Sequence, residues 1–454
     1  MFVNRETEIT RLKRILSHED AQIVVIYGRR RTGKSTLLRK IIDNDTIFFS
    51  ADMRETPLQI NALAERVDSI IPGFSTPAYP DWDSLFRSLN RSLNKRITLC
   101  IDEFPYLIKN SPELPSIIQN IHDDAAHSNY HLIICGSSQK MMHDLALNKK
   151  EPLYGRAGEI MKIGPMSVFH LMTYLDISPE EAVMEYSVWG GIPRYWEIRK
   201  TSGSLEEALE YNVLNTNGLL IEEPERLFSD EIRTSVQAFT LLTIIGSGSH
   251  RLSEIAARME KPSTSLSRTL SFLLELKYIR REIPFGESIR STKKTLYKID
   301  DPFLNFWFTF IAPDKSRIEL GLTSQSINEI RSKMNIYTSA IWEELCRNAT
   351  PFLFPDIKFN QARRWWGKGK DGSPMEIDVV AESADKKLLL AGEVKWSAGT
   401  NPAAELDLLN KKIENLPLIN RHKVIPVLFL KQKNSPKPED LIVFGPEDVV
   451  NALK

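Results

Sequence analysis

The apolar positions change period along this chain, and each change predicts a different kind of element. From Gln22 to Tyr27 the residues QIVVIY form a short β-branched run, followed by a glycine-bearing stretch and then by LLRKII at helical spacing. That order predicts strand, loop, helix. Further apolar runs at Thr46–Ala51, Ile97–Glu103 and His131–Ser138 alternate with amphipathic segments. Fully apolar strands separated by helices are expected in a parallel sheet covered on both faces, so residues 1–165 read as a doubly wound α/β domain.

Beyond Pro165 the strand pattern stops. Ser178–Tyr186 and Ser204–Leu214 have helical periodicity and predict a helical subdomain over 166–232. Over 233–300 the pattern becomes three helices, the third with Leu266, Leu270, Leu273 and Leu274 on one face, then two short strand-like runs ending at Asp300. This is the order of a winged helix. An aromatic stretch beginning at Asp301 reads as a linker over 301–336. Residues 337–454 predict a second α/β domain, with strands at Glu376–Glu382, Lys387–Trp396 and Lys423–Lys431 and an amphipathic helix between the last two.

Composition narrows the function classes. At 454 residues the chain exceeds a single ordinary core. No apolar run approaches the ~20 residues that cross a bilayer, so a membrane role is not expected, and the amphipathic N-terminus lacks the pattern of an export signal. Three scattered cysteines argue against a disulfide or zinc framework and fit a reducing, cytoplasmic setting. The 59 basic and 59 acidic residues balance, so any nucleic-acid surface must be a local patch.

The candidate chemistry begins at GRRRTGKS, residues Gly28 to Ser35. A polyphosphate needs closely approaching backbone N–H groups, which Gly28 and Gly33 permit and Arg29, Arg30, Arg31, Thr32 and Thr36 extend. Lys34 supplies a point charge, and Ser35 a hydroxyl for the magnesium ion of ATP. Asp102, at the end of an apolar run, would orient that metal, and Glu103 beside it would polarise the attacking water. Ser137 and Ser138 end another strand, where a serine senses a γ-phosphate or caps the next helix. Arg156 reads either as an arginine finger, from this chain or from a second copy in a homo-oligomer, or as an ordinary surface residue.

FVNRETEITRL at the N-terminus, GRRRTGKS, LCIDEF, CGSS, LYGR and GGIPRYW together resemble the archaeal-type ATPase family within the STAND class of P-loop NTPases, over the first half of the chain. The resemblance implies nucleotide enclosure by Arg5 and Glu6 and by Gly191, Ile192 and Pro193. It also implies an ATP-driven switch more than a fast motor.

In the winged-helix segment, Ser263, Ser267, Arg268 and Ser271 lie opposite the leucines of the third helix. Lys277, Arg280 and Arg281 lead into the wing, and Arg290, Lys293 and Lys294 lie at its tip. Such cations fix register on DNA without specifying sequence; a spacer or protein-contact module is the alternative. Further on, strand period two puts Glu393 and Lys395 on one face, where both meet Asp378 if the strands are neighbours. Asp378 and Glu393 would then bind magnesium, and Lys395 would orient the attacking water. An ion-pair ladder is the plainer alternative. The spacing resembles the PD-(D/E)xK superfamily of restriction-endonuclease-like and junction-resolving nucleases. Ile377 stands where proline is usual, although Glu376-Ile377-Asp378 is a variant similar to that of junction resolvases. Glu343 or Glu344 would add a carboxylate, and Arg363, Arg364, Trp365 and Trp366 phosphate and stacking contacts.

The sequence thus predicts an ATP-binding, ATP-hydrolysing protein acting on DNA, with nucleotide state controlling a winged helix and a magnesium-dependent nuclease-like domain. A signalling switch with an inactive partner-binding rear domain is the alternative.

Overall fold

The computed structural model describes residues 3–123, 128–231, 235–288, 290, 292–418, 422–433, 438 and 440–454. It divides into two compact units, Met1–Pro165 and Met166–Lys454.

The first unit is built on five parallel strands, β1 Ile23–Tyr27, β2 Thr46–Ser50, β3 Ile97–Asp102, β4 Tyr130–Gly136 and β5 Ala157–Lys162, in the order β2-β3-β4-β1-β5. β1 and β4 are buried throughout. Period two sends their side chains to two separate cores. Ile23, Val25, Leu99 and Ile134 join one with helices Thr56–Val67 and Trp82–Ser92. Val24, Ile26, Cys100 and Cys135 join the other with Leu12, Leu37 and Leu38. β4 separates β1 from β3, so the residue following it lies between the loop after β1 and the end of β3.

The second unit opens with helices Val168–Leu175, Pro179–Trp189, Pro193–Arg199, Leu205–Asn212 and Glu223–Glu231. Ser178 caps the second of these reciprocally with Glu181, and Pro179 fits the first turn, where no backbone donor is needed. Helices Ser235–Gly246, Leu252–Arg258 and Ser263–Glu275 precede the antiparallel pair β6 Ile279–Glu282 and β7 Leu296–Ile299. The final sheet is mixed, with β8 Arg363–Lys368, β9 Pro374–Glu382, β10 Leu388–Lys395, β11 Lys423–Leu430 and β12 Ile442–Phe444 in the order β12-β11-β10-β9-β8. β10 runs parallel to β11 and antiparallel to β9.

The stretch 301–336 is not the expected linker. It is helical, through Pro302–Phe306, a π-helical turn at Trp307–Ile311, Ala312–Glu319 and the start of the 27-residue helix Thr323–Ala349. Phe303, Leu304, Phe306, Trp307, Phe308 and Ile311 are fully buried, and the Trp307 indole donates to Ile221 O at 2.9 Å. A segment apolar on every side is a core helix, not a connector. The boundary at 337 consequently falls inside one continuous helix.

Candidate functional site

The loop after β1 is shaped by backbone positions that only certain residues tolerate. A Cβ on Gly28 would stand 2.2 Å from Ile163 O, and Ile163 is fixed there because its N–H donates to Tyr27 O at 2.7 Å. Arg31 and Gly33 both take left-handed backbone, φ 67° and 88°, which turns successive amides inward. The buried Lys34 crosses the loop, its Nζ donating to Gly28 O at 2.8 Å and Arg29 O at 2.9 Å. Thr32 Oγ1 donates to Arg29 O at 2.8 Å. Ser35 is half-buried and Thr36 exposed in the first turn of helix Lys34–Arg39. Arg5, at the cap position of helix Glu6–Leu16, braces the loop, donating to Thr32 O at 3.3 Å and pairing with Glu8 at 3.0 Å. Glu6, in the first turn of that helix, is exposed.

Across the sheet, β3 ends in the buried Asp102, whose Oδ1 accepts the Glu103 N–H at 3.0 Å. Glu103 itself has φ 54°, a backbone region costly for a side chain of this size and one that recurs at functional sites. Its Oε2 accepts from Ser137 Oγ at 3.0 Å. Arg30 Nε reaches the same hydroxyl at 3.5 Å, and its terminal nitrogen reaches Tyr106 OH at 3.2 Å. Lys34, Asp102, Glu103 and Ser137 therefore lie at the ends of three neighbouring strands. Ser138 occupies the cap position of helix Gln139–Leu147 but makes no side-chain cap bond. Burial, aided by Asp102, pushes the Cys135 thiol up, and Cys100, Cys135 and Cys346 are buried and unpaired by disulfides. Arg156 forms a two-pronged pair with Asp123 at 2.7 Å for each contact. Pro193 opens helix Pro193–Arg199 in the second unit, where Gly191 O accepts the Met166 N–H at 2.8 Å.

In the second unit, β9 and β10 bring the remaining carboxylates together. Gly392 lies opposite Val379, so the pairing brings Glu393 beside Asp378 on the adjacent strand. β9 also holds one extra residue against β8, because Arg363 faces Val380 while Trp365 faces Ile377. That irregularity lies between Ile377 and Val380, the stretch that contains Asp378. Asp378 Oδ2 accepts the Val394 N–H at 3.0 Å. Burial, then Glu393 and Glu343, push the Asp378 carboxyl up to about 7. Glu393, 5% exposed, accepts from Lys395 at 3.2 Å and from Lys412 at 2.7 Å. Burial opposes the charged form of Lys395, but Glu393 and then Glu405, 3.6 Å away, outweigh it and raise its pKa.

The two candidate glutamates of helix Thr323–Ala349 have different surroundings. Arg347 joins Glu343 at 3.4 Å and donates to Asp378 O at 3.1 Å, which ties Glu343 to the carboxylate site. Glu344 pairs with Arg280 of β6 instead, and Arg280 also reaches Asp300 at 3.4 Å. Arg280 is thus turned inward, contrary to its expected place on a nucleic-acid surface. Lys294 is likewise held by Glu287 at 2.6 Å, and the Phe285 N–H donates to Arg364 O on the edge strand β8 at 2.9 Å. Ser267, Arg268, Ser271, Lys277, Arg281, Arg290 and Lys293 are exposed. Trp365 is core, whereas Arg364 pairs with Glu376 and stacks 5.5 Å from the half-buried Trp366 ring. Sequence reasoning missed Lys412 and Glu405. The available signal was their seven-residue spacing on helix Pro402–Asn415, which returns them to one face after two turns.

Comparison with known proteins accords with this geometry. Residues 2–197 match a family model described as an ATPase domain predominantly from Archaea, and residues 307–409 one described as archaeal and bacterial proteins of unknown function. A solved Walker-type ATPase of Pyrococcus abyssi is 21% identical with a TM-score of 0.54, over 68% of this chain and 96% of that one. This likeness shows the P-loop ATPase fold. An uncharacterized ATP-binding protein of Methanocaldococcus jannaschii is 43% identical over 47 residues, 10% of this chain and 80% of that protein. An uncharacterized protein of the same organism is 33% identical over 408 residues, 87% of this chain and 88% of the relative. On that identity and coverage, the chain belongs to the family of this longer M. jannaschii protein, and it carries an archaeal-type ATPase domain at its front.

Proposed function

We propose that this chain binds and hydrolyses ATP and acts on DNA, with the nucleotide state of the first unit controlling a winged helix and a magnesium-dependent nuclease-like domain in the second. The observation that carries the output reading is the juxtaposition of Asp378 and Glu393 on adjacent strands with Lys395 against Glu393. The donor set is carboxylate oxygen, the chemistry that suits magnesium and not a softer metal. Burial, with Glu393 and Glu343 beside it, raises the Asp378 carboxyl to about 7, and a divalent cation would offset both the burial and the repulsion.

In the front site, Ser35 and Asp102 would hold the magnesium that accompanies ATP, and Lys34 would leave the loop carbonyls for the phosphates. Glu103 would take a proton from the attacking water, with Ser137 orienting its carboxylate. In the rear site, Asp378 and Glu393, with Glu343 nearby, would hold magnesium, which supplies Lewis-acid stabilisation of a phosphodiester when bound. Lys395 would orient the attacking water. Ser267, Arg268 and Ser271 on helix Ser263–Glu275 offer the exposed polar face for duplex contact.

Purified protein with magnesium or manganese is expected to nick plasmid or branched DNA, and Asp378→Ala and Lys395→Ala to abolish the cleavage. Cleavage that survives both substitutions would overturn the nuclease role. The reading as a STAND-type switch with an inactive rear domain has one observation in its favour: both Glu393 oxygens are engaged by lysines, as in an ion-pair ladder. Its signature would be ATP binding with no cleavage under any nucleotide.

A further inference from the structure

Lys412 reaches Glu393 from an element that the carboxylate motif does not include. Helix Pro402–Asn415 is fixed at its start, where Asn401 accepts the Ala403 N–H at 3.0 Å. Near its end, the fully buried Leu409 packs in the same core as Leu389 and Ala391 of β10. One turn beyond Leu409, Lys412 Nζ meets Glu393 Oε2 at 2.7 Å, while Lys395 holds Oε1 at 3.2 Å. The two lysines are not equivalent. Lys395 has a second carboxylate in reach, Glu405 at 3.6 Å, whereas among the described residues Lys412 pairs with Glu393 and no other acid.

We propose that Lys412 is a latch on the carboxylate site: it occupies the Glu393 oxygen that a divalent cation would take, so cation entry and release of Lys412 from Glu393 are one event. This rests on the metal-site reading given above. An ammonium 2.7 Å from an oxygen and a metal ion on that same oxygen would place two cations within a few ångströms in a largely buried site. Lys395 moves aside at little cost because Glu405 receives it. Lys412 must swing outward, and at 30% side-chain exposure it does so without opening the core. Once released, its ammonium is left at the mouth of the site, where the phosphate of an incoming nucleic-acid backbone is the complementary charge. Lys412 is therefore a positioning residue that acts through Glu393.

The test is calorimetric titration of the full chain with Mn2+, without nucleotide, at one pH and salt concentration. The Asp378-dependent part of binding is defined by Asp378→Asn. Lys412→Met and Lys412→Gln are expected to tighten that part roughly five-fold, the scale of a partly exposed ion pair. Lys412→Arg keeps the charge and is expected to bind like the wild type. Lys411→Met makes the same charge change one residue away and is expected to change affinity by less than about two-fold. Equal tightening by Lys411→Met, or none by either Lys412 variant, overturns the latch while leaving the metal site standing. Wild-type binding that is unaffected by Asp378→Asn overturns the metal site and the latch with it.

Discussion

Asp378→Asn should stabilise the second unit, and increasingly so as the pH rises. In the folded protein the Asp378 carboxyl is pushed from 3.8 up to about 7 by burial and by Glu393 and Glu343. A raised pKa means that the folded state holds this proton more tightly than the unfolded chain. Its contribution to stability is full below about pH 4 and is lost as the pH rises through about 7. A displacement from 3.8 to about 7, at about 1.4 kcal/mol per pH unit, sets an upper bound of about 4 kcal/mol above neutral pH. Glu393 and Glu343 share the repulsion and relax when Asp378 is neutral, so the net gain expected near pH 8 is about 1–3 kcal/mol. Asparagine keeps an acceptor for the Val394 N–H, so the backbone tie survives. Seven of the eight tryptophans lie in the second unit, Trp82 being the exception. Urea unfolding followed by tryptophan fluorescence near pH 5 and pH 8, without metal, reads the effect. The advantage of the variant should be small at the lower pH and grow by at least about 1 kcal/mol at the higher. A variant less stable than the wild type at pH 8, or a difference independent of pH, would refute the crowding argument.

Three other outcomes follow from the geometry. Glu103→Gln should leave ATP affinity, read by calorimetry, within about two-fold of wild type and slow phosphate release by about 100-fold or more, because only the proton acceptor is removed. Gly28→Ala should lower the stability of the first unit by about 1–3 kcal/mol, seen in the Trp82 environment and in lost ATP binding, because Ile163 O has no room for a methyl group. Arg280→Met leaves the half-buried Glu344 without its partner and should cost about 1–2 kcal/mol in urea unfolding of the second unit; the double variant with Glu344→Met should recover most of the loss.

Legibility in the sequence followed burial. β1, β3 and β4 lie inside the sheet, with all or nearly all of their residues out of solvent, and their runs of Ile, Val and Leu declare this. β5 and β8 are edge strands with mixed exposure, and AGEIMK and RRWWGK carry no period that separates them from loops. The aromatic stretch from Asp301 misled for the opposite reason: a helix buried on every side has no polar face to betray its turn. Of the front site, spacing alone places Lys34, Asp102 and Ser137 near one another, because each follows or ends a strand. The left-handed Glu103, and hence the bond its carboxylate accepts from Ser137, depend on the local course of the chain after β3. In the rear site, period two predicts Glu393 with Lys395. The irregularity of β9 around Asp378, and the helix that delivers Lys412, depend on strand pairing and packing that no local pattern encodes.

In the proposed function the two sites are joined, nucleotide at Lys34 governing chemistry at Asp378. Nicking of supercoiled plasmid in magnesium, followed with ATP, with ADP and without nucleotide in the wild type, Lys34→Ala and Asp378→Ala, tests it most directly. Nicking is expected to change with nucleotide in the wild type, to become indifferent to nucleotide in Lys34→Ala and to disappear in Asp378→Ala. Nicking that persists in Asp378→Ala, or that responds to ATP in Lys34→Ala as it does in the wild type, would contradict it.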